Sequence, residues 1–336
     1  MPFSVLSAPN RVTWDISSAC NLKCVHCYNA SGKKTTDEIH GAKVLKVASE
    51  LVDARVLIVT LSGGEVFLKP EMWDVIPILT QRKVDVNLIT NGTLITNDIA
   101  KRLSTYSIRA VQVSLDGSES IHNLIRGDSA AFERTISGIK NLLELGVNIC
   151  ISMTVFRKNL KEVEKVMDIS RSLGVQEFRV LRFIPMGRGR EQLDFMLSRN
   201  EMKELVAKLL LLRDEYKGII RIELDESISF LDQKDRDNQN LCWNGCLAAR
   251  TEAGIDSSGN FYPCIFLTYP EFSAGNLVTS PLKELWHSEV FSNFRKTCDP
   301  CTDCLKETCL GGCPAVSYSM YRNLTKSDPY CWKYTA

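Results

Sequence analysis

The chain has 336 residues, 44% of them apolar, which exceeds one average domain and suffices for a sizeable core. Its 41 basic and 40 acidic side chains leave a net charge of +1, so neither nucleic acid nor an anionic membrane is expected as its main partner. No apolar run reaches the roughly 18 residues of a membrane span, and the N-terminus lacks the basic-then-apolar order of a signal peptide. We therefore expect a cytoplasmic protein.

Between residues 11 and 225, short β-branched runs alternate with longer segments of helical periodicity, which is typical of βα units on a parallel sheet. The six predicted strands are Val12–Ile16, Val56–Leu61, Val84–Thr90, Ala110–Leu115, Ile149–Val155 and Phe178–Phe183. Amphipathic helices are predicted after them, for example over Ala130–Leu145 and Leu160–Leu173. Parallel strands of this kind curl into a full or partial barrel, whose functional residues follow the carboxyl ends of the strands.

A change of composition divides the chain. The helical segment Asn200–Tyr216 leads to the polar run Asp232–Asn240, which indicates a boundary between a barrel domain over residues 1–230 and a smaller domain over residues 231–336. Glycine, proline and cysteine are dense in the smaller domain, where one short helix is predicted around Leu282–Arg295. This composition is typical of a domain that metal stabilises more than an apolar core does.

Thirteen cysteines require an explanation, because a reducing cytosol disfavours disulfides and thiols there more often bind metal. Three lie near the N-terminus, Cys150 stands alone, and the other nine fall within the last hundred residues. The nine are Cys242, Cys246, Cys264, Cys298, Cys301, Cys304, Cys309, Cys313 and Cys331. Two metal-binding regions are therefore predicted, one on each side of a middle with a single cysteine.

The N-terminal cysteines Cys20, Cys24 and Cys27 have CxxxCxxC spacing and follow the first predicted strand. A structural zinc ion takes four protein ligands, whereas an iron–sulfur cubane held by three thiolates keeps one iron open to a substrate or cofactor. The absence of a fourth cysteine from this segment favours the cubane. A zinc loop completed by His26 or by a distant residue is the alternative.

This segment resembles the motif that defines the radical S-adenosylmethionine (radical SAM) superfamily, and the resemblance covers nearly the whole chain. It implies an α/β fold with a partial (β/α)6 barrel of the radical SAM type. It also implies that Cys20, Cys24 and Cys27 hold a catalytic 4Fe–4S cluster, whose open iron binds S-adenosylmethionine. In that family the reduced cluster cleaves S-adenosylmethionine to a 5′-deoxyadenosyl radical that abstracts a substrate hydrogen, and a reductant such as flavodoxin or ferredoxin would supply the electron.

Further motifs follow the other predicted strands. Ser62-Gly-Gly-Glu65 resembles the family's GGE motif, in which paired glycines let the backbone approach the methionine amino group. Ser114 and Asp116 end the fourth strand, where the family places polar groups near the cofactor, and Arg126 is a candidate for bidentate contact with the methionine carboxylate. Ordinary turns and caps are the alternative for each residue. The implied cofactor contacts are His26, Ser62, Gly63, Gly64, Glu65, Asn91, Ser114, Asp116 and Arg126.

The C-terminal cysteines resemble the SPASM extension, a small cysteine-rich domain that carries two auxiliary 4Fe–4S clusters. The resemblance implies one cluster on Cys242, Cys246, Cys264 and Cys313, and another on Cys301, Cys304, Cys309 and Cys331, which makes three clusters in all. Four residues separate Cys304 from Cys309 where the family usually has five, and Cys298 could replace Cys301. A zinc ribbon is the alternative, because CxxC pairs are common zinc ligands.

The resemblance includes enzymes that modify peptides or protein side chains, and peptide modification is the leading hypothesis. Ile265 follows Cys264, where the sulfatase-maturing enzymes carry an acidic residue, so that reaction is disfavoured. Haem-precursor side-chain chemistry or oxidation of a sugar alcohol is the alternative among enzymes, and a non-catalytic metal-binding partner protein is the alternative of another class. Cys150 is interpreted as a core thiol, with hydrogen donation to a substrate radical by Cys150 or Cys298 as the minor hypothesis.

Overall fold

The computed structural model describes residues 5–224, 246–297 and 311–332. Within these ranges nine strands join into one sheet. They are β1 Arg11–Ser17, β2 Ile58–Gly63, β3 Asp85–Thr90, β4 Ile108–Ser114, β5 Ile149–Val155, β6 Glu177–Arg182, β7 Arg221–Leu224, β8 Glu252–Ile255 and β9 Phe261–Tyr262. Their order across the sheet is β7-β6-β5-β4-β3-β2-β1-β8-β9, and all neighbours are parallel except β8 and β9.

Helices connect the strands. The α-helices are α1 Ala42–Asp53, α2 Met72–Thr80, α3 Asn97–Ser104, α4 Glu119–Arg126, α5 Ala131–Glu144, α6 Val163–Ser172, α7 Arg199–Glu215, α8 Leu282–Trp286, α9 Glu289–Thr297 and α10 Pro314–Tyr321. Short 3-10 helices cover Val66–Leu68, Leu160–Glu162, Gly187–Glu191, Leu193–Phe195 and Pro270–Phe272. No helix in the described ranges has the length and hydropathy required to cross a lipid bilayer.

The two faces of the sheet differ in polarity. Strands β1 to β7 follow one another in chain order, and because parallel crossovers are right-handed, their helices cover one face. Side chains on that face are apolar and fully buried, as Leu61, Leu88 and Val111 illustrate. The opposite face, called the inner face below, carries the alternate side chains of each strand. Its half-buried members include Thr13, Thr60, Asn87, Gln112, Ser114, Thr154 and Arg179.

The partial (β/α)6 barrel is confirmed, since the six predicted strands are β1 to β6 and pair in parallel in chain order. Their ends lie within two residues of the predicted ones. The pattern missed β7, β8, β9 and α10, which are short and carry too few residues for a periodicity to emerge. It also merged α8 and α9 into one helix.

The C-terminal region shares the barrel's sheet. Strand β8 pairs in parallel with β1 on the side opposite β2, so the region extends the sheet beyond the first strand. Phe261, Trp286 and Phe291 are fully buried there, with the two phenylalanine rings stacked at 5.0 Å. An apolar core therefore contributes to this region, which the composition did not predict. The predicted boundary at residue 230 and the polar run Asp232–Asn240 lie outside the described residues.

Candidate active site

The three N-terminal cysteines lie on the loop that follows β1, at the carboxyl edge of the sheet. No described cysteine forms a disulfide with another described cysteine. Two side chains point N–H groups at the sulfurs, with Arg126 Nη1 at 3.7 Å from Cys24 Sγ and Asn91 Nδ2 at 3.9 Å from Cys20 Sγ. The amide of Leu22 donates to Cys20 Sγ at 3.5 Å. Hydrogen bonds to sulfur of this kind tune the potential of an iron–sulfur cluster.

The paired glycines bring the β2 loop against the residues that precede Cys20. Gly63 has a φ of +125°, and a Cβ added to Gly64 would lie 2.1 Å from the carbonyl oxygen of Ala19. The amide of Gly64 donates to Ser17 O at 2.7 Å, and the next amide donates to Ala19 O at 2.8 Å. Only glycine permits two backbones to approach this closely. Ser62, which precedes the pair, is buried beside Asp15.

The predicted contact Glu65 is fully buried and connects two loops. Its carboxylate accepts hydrogen bonds from Thr90 Oγ1 at 2.7 Å and from the amide of Asn91 at 2.9 Å. Burial raises the pKa of Glu65 above its usual range. The side chain of Asn91 in turn donates to Asn21 Oδ1, at 3.0 Å, within the cysteine loop. Glu65 therefore positions Asn91, and its direct contact with a cofactor stays a prediction.

Asp116, Arg126 and His26 form a buried cluster beside Cys24. Arg126 Nη2 lies 2.7 Å from Asp116 Oδ2, and His26 Nε2 lies 3.7 Å from the same oxygen. Burial alone would raise the pKa of Asp116, but the Arg126 guanidinium, together with the adjacent His26, His122 and Thr154 amide, holds that pKa below the usual range. Arg126 thus has a protein carboxylate as its partner, so its predicted bidentate contact with a methionine carboxylate stays a prediction. Ser114 is half-buried nearby, at the end of β4.

Two buried nitrogen atoms of this cluster have no hydrogen-bond partner within the described residues. They are Nδ1 of His26 and Nε of Arg126. Burial lowers the pKa of His26 to about 4, so the ring is neutral at pH 7. Buried polar groups normally have partners, so these two atoms indicate room for a polar ligand. Together with three unbridged thiols on one loop, they fit a cluster that binds a small polar cofactor.

Two residues beneath the loop were missed by sequence reasoning. Asp15 lies on β1, buried, and accepts hydrogen bonds from Tyr28 Oη at 2.8 Å and from Asn29 Nδ2 at 3.0 Å. Burial raises the pKa of Asp15 to about 7. The ring of Tyr28 contacts Phe266 edge-on at 4.8 Å, so this group reaches from the first strand to the segment after Cys264. An aspartate within an otherwise apolar strand was the available signal.

A buried ion pair supports the start of the same loop. Lys69 Nζ lies 2.8 Å from Glu38 Oε1, and each side chain is 1% exposed. Glu38 also accepts hydrogen bonds from the amide and the hydroxyl of Ser18, both at 2.8 Å. Burial alone would raise the pKa of Glu38, but these donors hold it below the usual range. The pair was not visible in sequence because its members are 31 residues apart.

Four of the predicted auxiliary ligands are described, namely Cys246, Cys264, Cys313 and Cys331, whereas Cys242, Cys298, Cys301, Cys304 and Cys309 lie outside the described residues. Asp328 holds two of the four. Its Oδ2 accepts the amide of Cys313 at 2.8 Å, and its carbonyl accepts the amide of Cys331 at 2.9 Å. Arg182, at the end of β6, pairs with the same carboxylate at 2.6 Å, and both side chains are fully buried.

Cys150 lies on β5 with 3% of its surface exposed. Burial and the nearby Glu177 raise the pKa of its thiol above the usual range, so the thiol stays protonated. These observations favour the interpretation as a core thiol.

Two family models match regions of the chain that contain described cysteines. The family model described as the Radical SAM superfamily matches residues 14–169, and the SPASM model, an iron-sulfur cluster-binding domain, matches residues 246–305. The AdoMet-dependent heme synthase of Methanosarcina barkeri is 30% identical over 98% of this chain and 97% of its own length. The mycofactocin maturase MftC of Mycolicibacterium smegmatis is 29% identical over 97% of this chain and 83% of its own.

A solved structure has the same fold. Streptococcus suis SuiB bound to S-adenosylmethionine superposes with a TM-score of 0.78 at 19% identity, over 98% of this chain and 78% of that one. SuiB has also been solved bound to its precursor peptide SuiA, with a TM-score of 0.78 at 18% identity over 96% of this chain and 76% of that one. From the family matches, the full-length relative and the cysteine loop, we conclude that the chain belongs to the radical SAM superfamily and is a radical SAM enzyme with a SPASM region, a 4Fe–4S cluster and S-adenosylmethionine as cofactor.

Proposed function

We propose that this enzyme modifies a side chain of a peptide or protein. When bound, the reduced cluster and S-adenosylmethionine supply the 5′-deoxyadenosyl radical that abstracts hydrogen in this superfamily. Cys20, Cys24 and Cys27 would hold the cluster. The nitrogens of Asn91 and Arg126 would donate hydrogen bonds to its sulfur ligands, and the unpartnered Nδ1 of His26 would meet the cofactor.

The inner face of the sheet is the observation that carries the peptide proposal. Its half-buried side chains include hydroxyls and amides, such as those of Thr60, Asn87 and Gln112, beside the apolar Ile89 and Leu181. Arg179 is held among them by hydrogen bonds to Gln112 at 3.3 Å and to Glu177 at 3.0 Å. The hydroxyl and amide groups on this face can donate to and accept from a peptide main chain, and this is the feature that favours a peptide substrate.

The relatives support both a peptide and a haem-type substrate. One relative is a maturase by name, and a structural neighbour has been solved with a precursor peptide. The 30% identity to a heme synthase, over nearly the full length of both chains, favours haem-precursor chemistry as the second candidate.

We infer two auxiliary 4Fe–4S clusters, and therefore three in all. The SPASM match and the four described cysteines support this number, and eight thiolates on two cubanes leave no iron open. The auxiliary clusters would then serve electron transfer or structure. We infer a cytoplasmic location, because unbridged thiols in such numbers suit a reducing compartment. The proposed reductant there is a flavodoxin or a ferredoxin.

A substrate competition tests the choice of substrate. The enzyme is reconstituted anaerobically and reduced with dithionite in the presence of S-adenosylmethionine, and 5′-deoxyadenosine is quantified with each candidate. We expect a short cysteine- or aromatic-bearing peptide encoded beside the gene to raise 5′-deoxyadenosine formation and to change in mass. Stimulation by a haem precursor with no change in the peptide would refute the peptide proposal and support the second candidate.

A further inference from the structure

The loop that follows β6 lies against the cysteine loop along their backbones. Gly187 has a φ of +54°, and a Cβ added there would lie 2.5 Å from Cys27 O and 2.3 Å from Tyr28 O. A Cβ on Gly189 would lie 2.8 Å from the Phe183 ring and 3.2 Å from His26 O. The two glycines therefore allow a contact that larger residues would prevent.

Arg188, between these glycines, binds the cysteine loop at three points. Its Nε donates to the carbonyl of Cys24 at 2.9 Å, and its Nη1 donates to the carbonyl of Ser31 at 2.6 Å. Its own amide donates to the carbonyl of Cys27 at 3.0 Å. One side chain thus reaches both ends of the segment that carries two of the three ligands.

The cysteine loop needs such donors because it is irregular. Backbone carbonyls that leave water must find partners, and here a loop from a different strand supplies them. A planar guanidinium can donate in two directions at once, whereas a lysine ammonium is a point charge on a flexible stem.

We propose that Arg188 is a positioning residue for the catalytic cluster, holding the carbonyls of Cys24 and Ser31 so that the three thiols face one site. This role goes beyond the proposed peptide chemistry and does not depend on the substrate. It depends on the cluster being held by Cys20, Cys24 and Cys27.

The test compares Arg188→Met with Arg190→Met in the reconstituted full chain. Arg190 lies in the same 3-10 helix and is exposed, and its side chain has no hydrogen bond or ion pair within the described residues, so its substitution removes the same charge from the same loop. The readouts are the rate at which a chelator removes iron and the midpoint potential of the cluster whose EPR signal responds to S-adenosylmethionine. A variant with alanine at Cys20, Cys24 and Cys27 shows how much of the released iron comes from the auxiliary clusters.

We expect Arg188→Met to release the catalytic iron roughly 10-fold faster or more, with a shifted potential, since outer partners of metal ligands commonly contribute 10- to 100-fold to affinity. Arg190→Met should match the parent. Arg188→Lys keeps the charge, and its rate of iron release should lie between those of Arg188→Met and the parent. Circular dichroism of each variant monitors folding. The proposal would be overturned if a folded Arg188→Met variant had the same rate of iron release and the same midpoint potential as the parent. Equal effects of Arg188→Met and Arg190→Met would also overturn it.

Discussion

Around the N-terminal cysteines, the supporting groups lie in the segments that follow β2, β3, β4 and β6, so four different strands position them. Of the four described C-terminal cysteines, two, Cys313 and Cys331, are held by one residue, Asp328, which also pairs with Arg182. The N-terminal thiols are thus supported by contacts from several loops, whereas Cys313 and Cys331 share one buried carboxylate. A single substitution in the Arg182–Asp328 pair should therefore disturb two ligand segments at once.

The largest effect is expected from Arg182→Met. This change leaves Asp328 as an uncompensated buried charge, which typically destabilises a protein by about 3–5 kcal/mol. Anaerobic urea unfolding of the reconstituted enzyme measures the loss. Arg109→Met is the matched control, because Arg109 pairs with Asp85 on the surface at 2.8 Å and should cost less than about 1 kcal/mol. Equal losses for the two variants would mean that the buried pair has no special role.

A smaller effect is expected from Gly64→Ala near the N-terminal cysteines. The added methyl group would lie 2.1 Å from a backbone oxygen, so the β2 loop must shift, at about 1–3 kcal/mol. Gly32→Ala is the control, since nothing lies within 4 Å of a Cβ added at Gly32. Unfolding and bound iron are measured for both variants. If Gly64→Ala kept the stability and iron content of the parent, the close approach of the two backbones would be unnecessary.

Asp15 should make the stability of the fold depend on pH. Burial raises the pKa of Asp15 in the folded state to about 7, above its unfolded value of 3.8, with Tyr28, Asp256 and Ser62 as its neighbours. The folded state therefore binds more protons between these pH values, and this carboxyl lowers stability by about 1.4 kcal/mol per pH unit as the pH rises from 4 to 7. The stability of Asp15→Asn relative to the parent should therefore increase as the pH rises from 4 to 7 and stay constant above pH 7. A difference that stays constant from pH 5 to pH 8 would contradict the raised pKa.

The smallest effect is expected from Cys150→Ala. The thiol is buried on β5, so its loss should cost about 1 kcal/mol, as is common for point substitutions. The yields of 5′-deoxyadenosine and of product should not change. Loss of product with 5′-deoxyadenosine formation intact would instead support hydrogen donation by Cys150.

Sequence patterns predicted the sheet and proposed a set of ligands, but they could not predict the contacts between loops. The strands were found because β-branched runs mark parallel strands, and the cysteine loop was singled out because three cysteines lie close together on it without a fourth. Short elements such as β8 and α10 were missed, since their formation depends on pairing and packing with distant segments. The roles of Glu65 and Arg188 were missed for a related reason, because a hydrogen bond to a backbone group of another loop leaves no trace in local sequence.

The most direct test is to reconstitute the parent and the variant with alanine at Cys20, Cys24 and Cys27 anaerobically, count the bound iron, and assay 5′-deoxyadenosine after adding dithionite and S-adenosylmethionine. We expect about twelve irons and 5′-deoxyadenosine from the parent, against about eight irons and none from the variant. Formation of 5′-deoxyadenosine by the variant, or zinc in place of iron in the parent, would contradict a catalytic cluster on these three cysteines.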